Sequence, residues 1–143
     1  MVNFDTYTGR LTQALGNSID RRFRGLSIPI NSSLKEDGYH FKWRGVDYSF
    51  CFVYEENKVF FVFDASAGKE NNSLEKRIRG ELVSNRELNR TRYLAGQRLE
   101  VEGRKVKFRC RLKRNPKEDK DVNTLCDLIW GQLVRKAMKG IYG

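Results

Sequence analysis

The sequence predicts a single α+β domain over residues 1–143, in which one antiparallel sheet of about five strands packs against three or four helices. One observation is that the spacing of apolar residues changes from near four to two and back along the chain. Another is that short polar turns join the strand segments, as in antiparallel hairpins. A third is that 143 residues, 39% of them hydrophobic, suit one core. The expected order is α-β-β-β-α-β-β-α.

The first element is a predicted helix over residues 4–23. Its apolar side chains recur at steps of three and four residues, which is the spacing of one helical face. These side chains are Phe4, Tyr7, Leu11, Leu15, Ile19 and Phe23. Gly25 is expected to end the helix. Pro29 indicates that residues 26–33 form a short edge strand or an extended linker.

Three strands are predicted next, within residues 39–63. Apolar and polar residues alternate on both sides of the Arg44-Gly45 pair, and a two-residue turn at this pair places Lys42 opposite Asp47. A second polar turn leads to the third strand at residues 59–63. Because this strand is apolar on both faces, we expect it to be central and fully covered.

Helical patterns return after the third strand. Asn72 with Glu75 resembles a capping box and opens a helix that continues to Leu82. A second capping signal directly afterwards favours a new helix running to Gly96, although one bent helix fits the same pattern. The last helix is predicted over residues 122–141 from its apolar spacing.

The clearest hairpin lies between these helices, at residues 97–114, with Gly103 first in a type II′ turn. The register pairs glutamates with lysines: Glu102 with Lys105, and Glu100 with Lys107. Even positions 106–112 of the second strand are apolar and predict a core face, whereas odd positions 105–113 are basic. The basic side chains form a cationic stripe with a charge every ~6.8 Å, which suits alternate phosphates of a nucleic-acid strand.

The positive charge of the chain is concentrated in one region. The chain carries 28 Lys and Arg against 18 Asp and Glu, a net charge of +10. Residues 73–114 hold 14 basic and 5 acidic side chains, a difference of +9, whereas residues 1–72 hold nine of each. A local surplus of this size favours an acidic partner.

The predicted binding surface is the part of the basic region that the register leaves without a carboxylate. Lys105 and Lys107 are expected to be partly neutralised by the glutamates opposite them. Arg98 would face Arg109, a like-charge pair that costs stability unless an anion joins it. The predicted binding residues are Arg98, Arg109, Arg111, Lys113 and Arg114, with Arg79, Arg86 and Arg90 of the preceding helical segment adding to the same field.

These features favour a small binding protein that contacts the phosphates of nucleic acid, because arginine forks suit phosphate oxygens. The alternative is a protein-interaction module, such as an adaptor, an inhibitor or a chaperone-like dimer, that binds an acidic protein or a second copy. A basic RNase or nuclease is the third possibility. Most aromatic rings are expected in the core, and Tyr54 is one of five to be tested for exposure.

No motif in the sequence points to catalysis, a metal or a cofactor. His40 is the single histidine, and Cys51, Cys110 and Cys126 lack the spacing of a zinc site. We therefore expect three reduced thiols, no catalytic residue and no cofactor. No apolar run is long enough for a membrane span, and the first residues do not resemble a secretory signal, so a cytoplasmic protein is expected.

Overall fold

Six strands form one antiparallel sheet in the computed structural model, which describes residues 6–27, 31–35, 37–66, 74–82, 85–102 and 104–142. The strands are β1 (Asn31–Lys35), β2 (Gly38–Trp43), β3 (Val46–Glu55), β4 (Lys58–Ser66), β5 (Leu94–Glu102) and β6 (Lys105–Leu112). The helices are α1 (Tyr7–Gly25), α2 (Leu74–Glu81), α3 (Asn85–Arg90), α4 (Asp119–Ile129) and α5 (Arg135–Tyr142), and a π-helical turn (Trp130–Val134) joins α4 to α5. The predicted α+β class is confirmed, with six strands where about five were expected.

The strand order across the sheet is β1-β2-β3-β4-β6-β5. The additional strand is β1, which pairs with β2 and forms one edge of the sheet. The short edge strand expected near Pro29 is therefore present, although it begins at Asn31 and residues 28–30 lie outside the described part of the chain. The cationic strand β6 lies inside the sheet, between β4 and the edge strand β5.

The predicted hairpin registers are confirmed. Lys42 pairs with Asp47 across β2 and β3, and the turn residues Arg44 and Gly45 both have positive φ, as a type I′ turn requires. In the β5–β6 hairpin, Glu102 pairs with Lys105, Glu100 with Lys107, and Arg98 with Arg109. The Gly103 half of the proposed type II′ turn lies outside the described residues.

The prediction that the second helical segment continues to Gly96 is wrong. Helix α3 ends at Arg90, and Leu94 already belongs to β5. The side chain of Thr91 explains the change of direction, since its hydroxyl donates to the Leu88 carbonyl at 2.8 Å and accepts from the Leu94 amide at 3.1 Å. The break between α2 and α3 agrees with the expected new helix, whereas the capping residue Asn72 lies outside the described residues.

Helices and sheet enclose one core between two layers. Most strand side chains on the helix-facing side are almost fully buried; the largest are Tyr48, Phe50, Phe61, Phe63 and Phe108. On the opposite side most side chains are exposed or partly exposed, and we call this side the open face. The third predicted strand, now β4, is central as expected but not fully covered, because Phe60 is partly exposed on the open face.

Helix α1 packs on the sheet through two small residues. Gly16 faces the ring of Tyr39, and a Cβ at position 16 would overlap that ring. Thr12, which is fully buried, accepts a hydrogen bond from the Phe52 amide at 3.0 Å. The pairing of β2 with β3 ends at Phe50, so the Phe52 amide has no backbone partner on β2. The Thr12 hydroxyl accepts the hydrogen bond of this amide instead.

The C-terminal helical rod completes the helix layer. Helix α5 packs against α2, and α4 packs against α1. Phe23 of α1 contacts Trp130 edge to face, with ring centroids 5.5 Å apart. No helix in the described residues is both long and apolar enough to cross a membrane.

Candidate binding site on the open face

The cationic stripe lies on the open face of β6, as its alternation predicts. Its apolar partners Val106, Phe108 and Cys110 are each no more than 2% exposed on the core side. Of the basic side chains, those of Lys105, Lys107 and Lys113 are exposed and those of Arg109 and Arg111 are partly buried. The stripe therefore crosses the interior of the sheet face, with strands on both sides of it.

Two predicted binding residues are paired with carboxylates, which corrects the expectation that they have no acidic neighbour. Arg98 Nε lies 3.1 Å from Glu100 Oε1 within β5, and Arg109 Nη2 lies 2.7 Å from Glu55 Oε2 of β3. The opposed pair Arg98 and Arg109 is thus neutralised by the protein's own carboxylates. The pair of Arg98 with Glu100 is exposed to solvent and contributes at most about 1 kcal/mol to stability, whereas in the other pair Glu55 is exposed and Arg109 is partly buried.

The expected neutralisation of Lys105 and Lys107 by the opposite glutamates is also corrected. The register is as predicted, but neither lysine forms an ion pair with another described residue. Glu100 turns along its own strand toward Arg98 instead. Asp64 of β4 is the cross-strand neighbour of Lys107 on the other side.

Three arginines surround a groove of about 420 Å³ at the β5–β6 end of the open face. We call it the arginine groove; Phe60, Asn89, Gln97, Arg98, Arg109 and Arg111 line it. A β-bulge at Gly96 shifts the register of β5 here, and this glycine has a φ of +57° that favours a residue without Cβ. The Gly96 amide donates to Asn89 Oδ1 at 2.9 Å, which holds α3 against the bulge.

Arg109 crosses the groove diagonally over three strands. It starts on β6, its guanidinium carbon lies 4.2 Å from the ring centroid of Phe60 on β4, and its end reaches Glu55 on β3. The guanidinium therefore covers a partly exposed aromatic ring. A planar cation over a ring is a favourable stack and presents a flat charged surface to a ligand.

The remaining predicted residues of the stripe extend the positive surface beyond β6. Lys113 donates from Nζ to the carbonyl of Asn89 and, at 2.8 Å, to that of Thr91, so it closes the C-terminal end of α3. Within the described residues, Arg111 and Arg114 form no ion pair. Arg111 and Lys113 together line a second depression of about 340 Å³ next to the arginine groove.

The three predicted residues of the helical segment are only partly brought to this site. Arg86 and Arg90 are exposed on α3, which packs along β5. Arg79 lies on α2, and its Nη2 donates to the Leu99 carbonyl of β5 at 3.4 Å. This contact covers part of the β5 edge, so Arg79 has a structural role at the sheet boundary.

The other end of the open face carries mixed charge. A depression of about 410 Å³ there is lined by acidic and basic side chains: His40, Asp47, Asp64, Glu100, Glu102, Lys105 and Lys107. Burial raises the pKa of Asp64 above its ordinary value, and the charge of Lys107 opposes this shift. His40 Nε2 lies 2.7 Å from Asp37 Oδ1, and this contact lowers the pKa of the aspartate. The open face is therefore divided into an arginine-rich end and a mixed end.

His40 and Lys107 both line this depression but are separated by three strand spacings, roughly 14 Å. Among the described residues, no group of three His, Cys, Asp or Glu side chains is arranged to hold a metal ion.

The three cysteines are free thiols, as expected. Burial raises the pKa of Cys110 to about 12 and that of Cys126 to about 11. Cys51, on the open face, is partly buried, and its thiol pKa is also raised by burial. High thiol pKa values make all three poor nucleophiles at neutral pH.

Sequence reasoning missed the aromatic part of the groove. Tyr54, one of the five aromatic residues to be tested for exposure, is exposed. Phe60 was not among them, because its strand is apolar on both faces and was expected to be fully covered. The sequence signal for the groove was Gly96, because a glycine inside a strand pattern often marks a bulge.

Comparison with protein-family models, curated proteins and solved structures found no match to this chain.

Proposed function

We propose that the protein binds nucleic acid through the arginine groove. The observation that carries the proposal is the convergence of Arg98, Arg109 and Arg111 around the partly exposed ring of Phe60. Arginine presents a planar fork of donors that matches phosphate oxygens, and an adjacent ring offers a surface for a base. The combination supplies both kinds of contact that a nucleic-acid strand offers.

Phosphates can replace the carboxylates that the groove arginines bind now. Both pairs lie at the surface, and the carboxylate of each is exposed, so exchanging Glu100 or Glu55 for a phosphate costs little. Each phosphate that takes their place also releases condensed counterions from the nucleic acid, which favours binding at low salt. Binding of this kind has no strong preference for base sequence, because phosphate contacts position a strand without reading it.

A protein with a carboxylate-rich surface is the second candidate partner for the same groove. The specific observation in its favour is that Arg98 and Arg109 already bind carboxylates of this chain. Such a partner would place its own Asp or Glu side chains where Glu100 and Glu55 now lie. It would not use the ring of Phe60 in the way that a base does.

The proposal is tested by fluorescence anisotropy with a labelled oligonucleotide at about 50 mM salt, where phosphate contacts are strongest. The groove variant is Arg98→Gln/Arg111→Gln. The control is Arg24→Gln/Arg135→Gln, which removes two exposed arginines from helices α1 and α5. We expect the groove variant to bind at least tenfold more weakly, and the control to bind within about twofold of the unaltered protein.

Competition separates the two candidate partners. Nucleic acid as the partner predicts that polyglutamate at equal charge concentration displaces little of the oligonucleotide. Displacement by polyglutamate as efficient as that by unlabelled oligonucleotide would favour the acidic protein. Absence of binding near 50 mM salt, or equal loss in groove and control variants, would overturn the proposal.

A further inference from the structure

We infer that the arginine groove takes single-stranded nucleic acid, with an unpaired base stacked on the layer that Phe60 and Arg109 form. The inference rests on the proposed function and names the class of nucleic acid that the site selects. It draws on the shape and layering of the groove, whereas the proposed function draws on the convergence of the arginines around a ring.

The stacking surface consists of two layers. The ring of Phe60 belongs to the open face, and the guanidinium of Arg109 lies 4.2 Å above its centroid. The guanidinium reaches Glu55 at its far end, so it extends across the ring. Bases stack on guanidinium planes as they do on aromatic rings. A base that enters the groove therefore meets a prepared flat surface.

An unpaired base is required because the faces of paired bases are covered. In a duplex each base lies between its neighbours, and reaching the stacking layer would require unstacking it. In a single strand the bases splay outward and their faces are accessible. The groove volume of about 420 Å³ lies in the range of small-ligand sites, which suits one base with its sugar.

Two further arginines lie beside this surface, on the β6 and β5 side of Phe60. Arg98 lies opposite Arg109 on the neighbouring strand, and Arg111 lies two residues farther along β6, on the same face. The step between Arg109 and Arg111 is about 6.8 Å along the strand. Phosphates before and after the stacked base can thus meet Arg98 and Arg111, while the flat face of Arg109 meets the base and its edge can bind a further phosphate in place of Glu55.

The test compares three labelled ligands of equal length at one salt concentration: oligo(dT), the same sugar–phosphate strand without bases, and a duplex. Stacking of one base predicts that oligo(dT) binds about tenfold or more tightly than the abasic strand. The duplex is expected to bind more weakly than oligo(dT), although it carries more charge.

Two variants locate the base contact. Phe60→Leu removes the ring, and Arg109→Lys keeps the charge but removes the planar fork. Each is expected to reduce the preference for oligo(dT) over the abasic strand to less than about threefold. Because Arg109 is at the surface, Arg109→Lys keeps the test valid if Phe60→Leu proves unstable in thermal unfolding.

Each possible result of these measurements either supports or overturns the inference. Equal binding of oligo(dT) and the abasic strand would overturn the inference and leave the proposed function standing. A preference for oligo(dT) that survives both substitutions would place the base contact elsewhere and also overturn it. Binding to none of the three ligands would overturn the proposed function itself. Preference for oligo(dT) that both variants lose supports the inference.

Discussion

Arg109 is the residue on which the candidate site depends most. It contributes one positive charge to the stripe on β6, forms an ion pair with Glu55 and covers the ring of Phe60. A surface ion pair holds its partners weakly, so the carboxylate competes with an incoming phosphate for the same guanidinium. Glu55 would therefore compete with the proposed ligand for Arg109.

Removing this competitor should strengthen binding. Glu55→Gln takes away the carboxylate that Arg109 binds, and we expect oligonucleotide affinity to rise by up to about fivefold, since an exposed pair contributes at most about 1 kcal/mol. The matched control is Glu56→Gln, which makes the same change of net charge at the next residue. Equal affinity gains in the two variants would show that overall charge, and not the ion pair, is responsible.

Asp64 gives a pH-dependent prediction about stability. Burial raises its pKa in the folded protein, so the folded state binds this proton more tightly than the unfolded state does. The stabilisation from the protonated carboxyl is therefore present at low pH and is lost as pH rises through the folded pKa. We expect Asp64→Asn to raise the melting temperature at pH 7.

The comparison at acidic pH provides the check on this prediction. Near pH 3 the carboxyl is largely protonated in the unaltered protein, and the melting temperatures of the two proteins should then converge. A variant that is less stable than the unaltered protein at pH 7 would show that the attraction of Lys107 outweighs the cost of burial.

At the scale of elements, the β5–β6 hairpin shows what local sequence could predict. The alternation of apolar and basic residues predicted that Val106 and Phe108 face the core, and the opposite charges predicted that Glu102 pairs with Lys105. The structure shows both. Both signals are local, because a hairpin joins residues that are close in the chain. Local signals also predicted the turn at Arg44 and the apolar face of helix α1.

The contacts that complete the groove could not be predicted in this way. Glu55 meets Arg109 only because β4 lies between their strands, and the sequence does not state the strand order. The expectation that Arg98 lacks a carboxylate failed for a different reason, since Glu100 had two basic neighbours and a strand register does not decide between them. The three-dimensional arrangement of strands determines both outcomes.

The packing of α1 on the sheet makes a prediction about a single glycine. Gly16→Ala would place a Cβ inside the space of the Tyr39 ring, and we expect it to lower the free energy of unfolding by roughly 1–3 kcal/mol. Gly25→Ala, at the end of the same helix, meets no atom within 4 Å and is the control. It should be neutral or stabilising by less than about 1 kcal/mol.

Urea unfolding of both variants measures these free energies directly. If Gly16→Ala is as stable as Gly25→Ala, the close approach of α1 to β2 is not required for the fold. If both variants lose stability equally, the loss comes from the helix itself and not from its contact with the sheet.

At the scale of the whole molecule, the fold separates charges that are mixed in the sequence. The mixed end of the open face holds Asp64, Glu102, Lys105 and Lys107, whereas Arg98, Arg109 and Arg111 gather at the other end. Part of the chain's positive charge thus lies at a defined place, next to a partly exposed ring. This arrangement favours a polyanionic ligand that also has flat apolar groups.

The salt dependence of oligo(dT) binding tests this account most directly. A strand whose phosphates meet Arg98, Arg109, Arg111 and Lys113 should give a slope of log affinity against log salt near −2.8, since each contact contributes about 0.7 for single strands. In Arg98→Gln/Arg111→Gln the slope should weaken by about 1.4, while Arg24→Gln/Arg135→Gln should leave it unchanged. A slope that is equal in both variants, or no binding near 50 mM salt, would contradict the account.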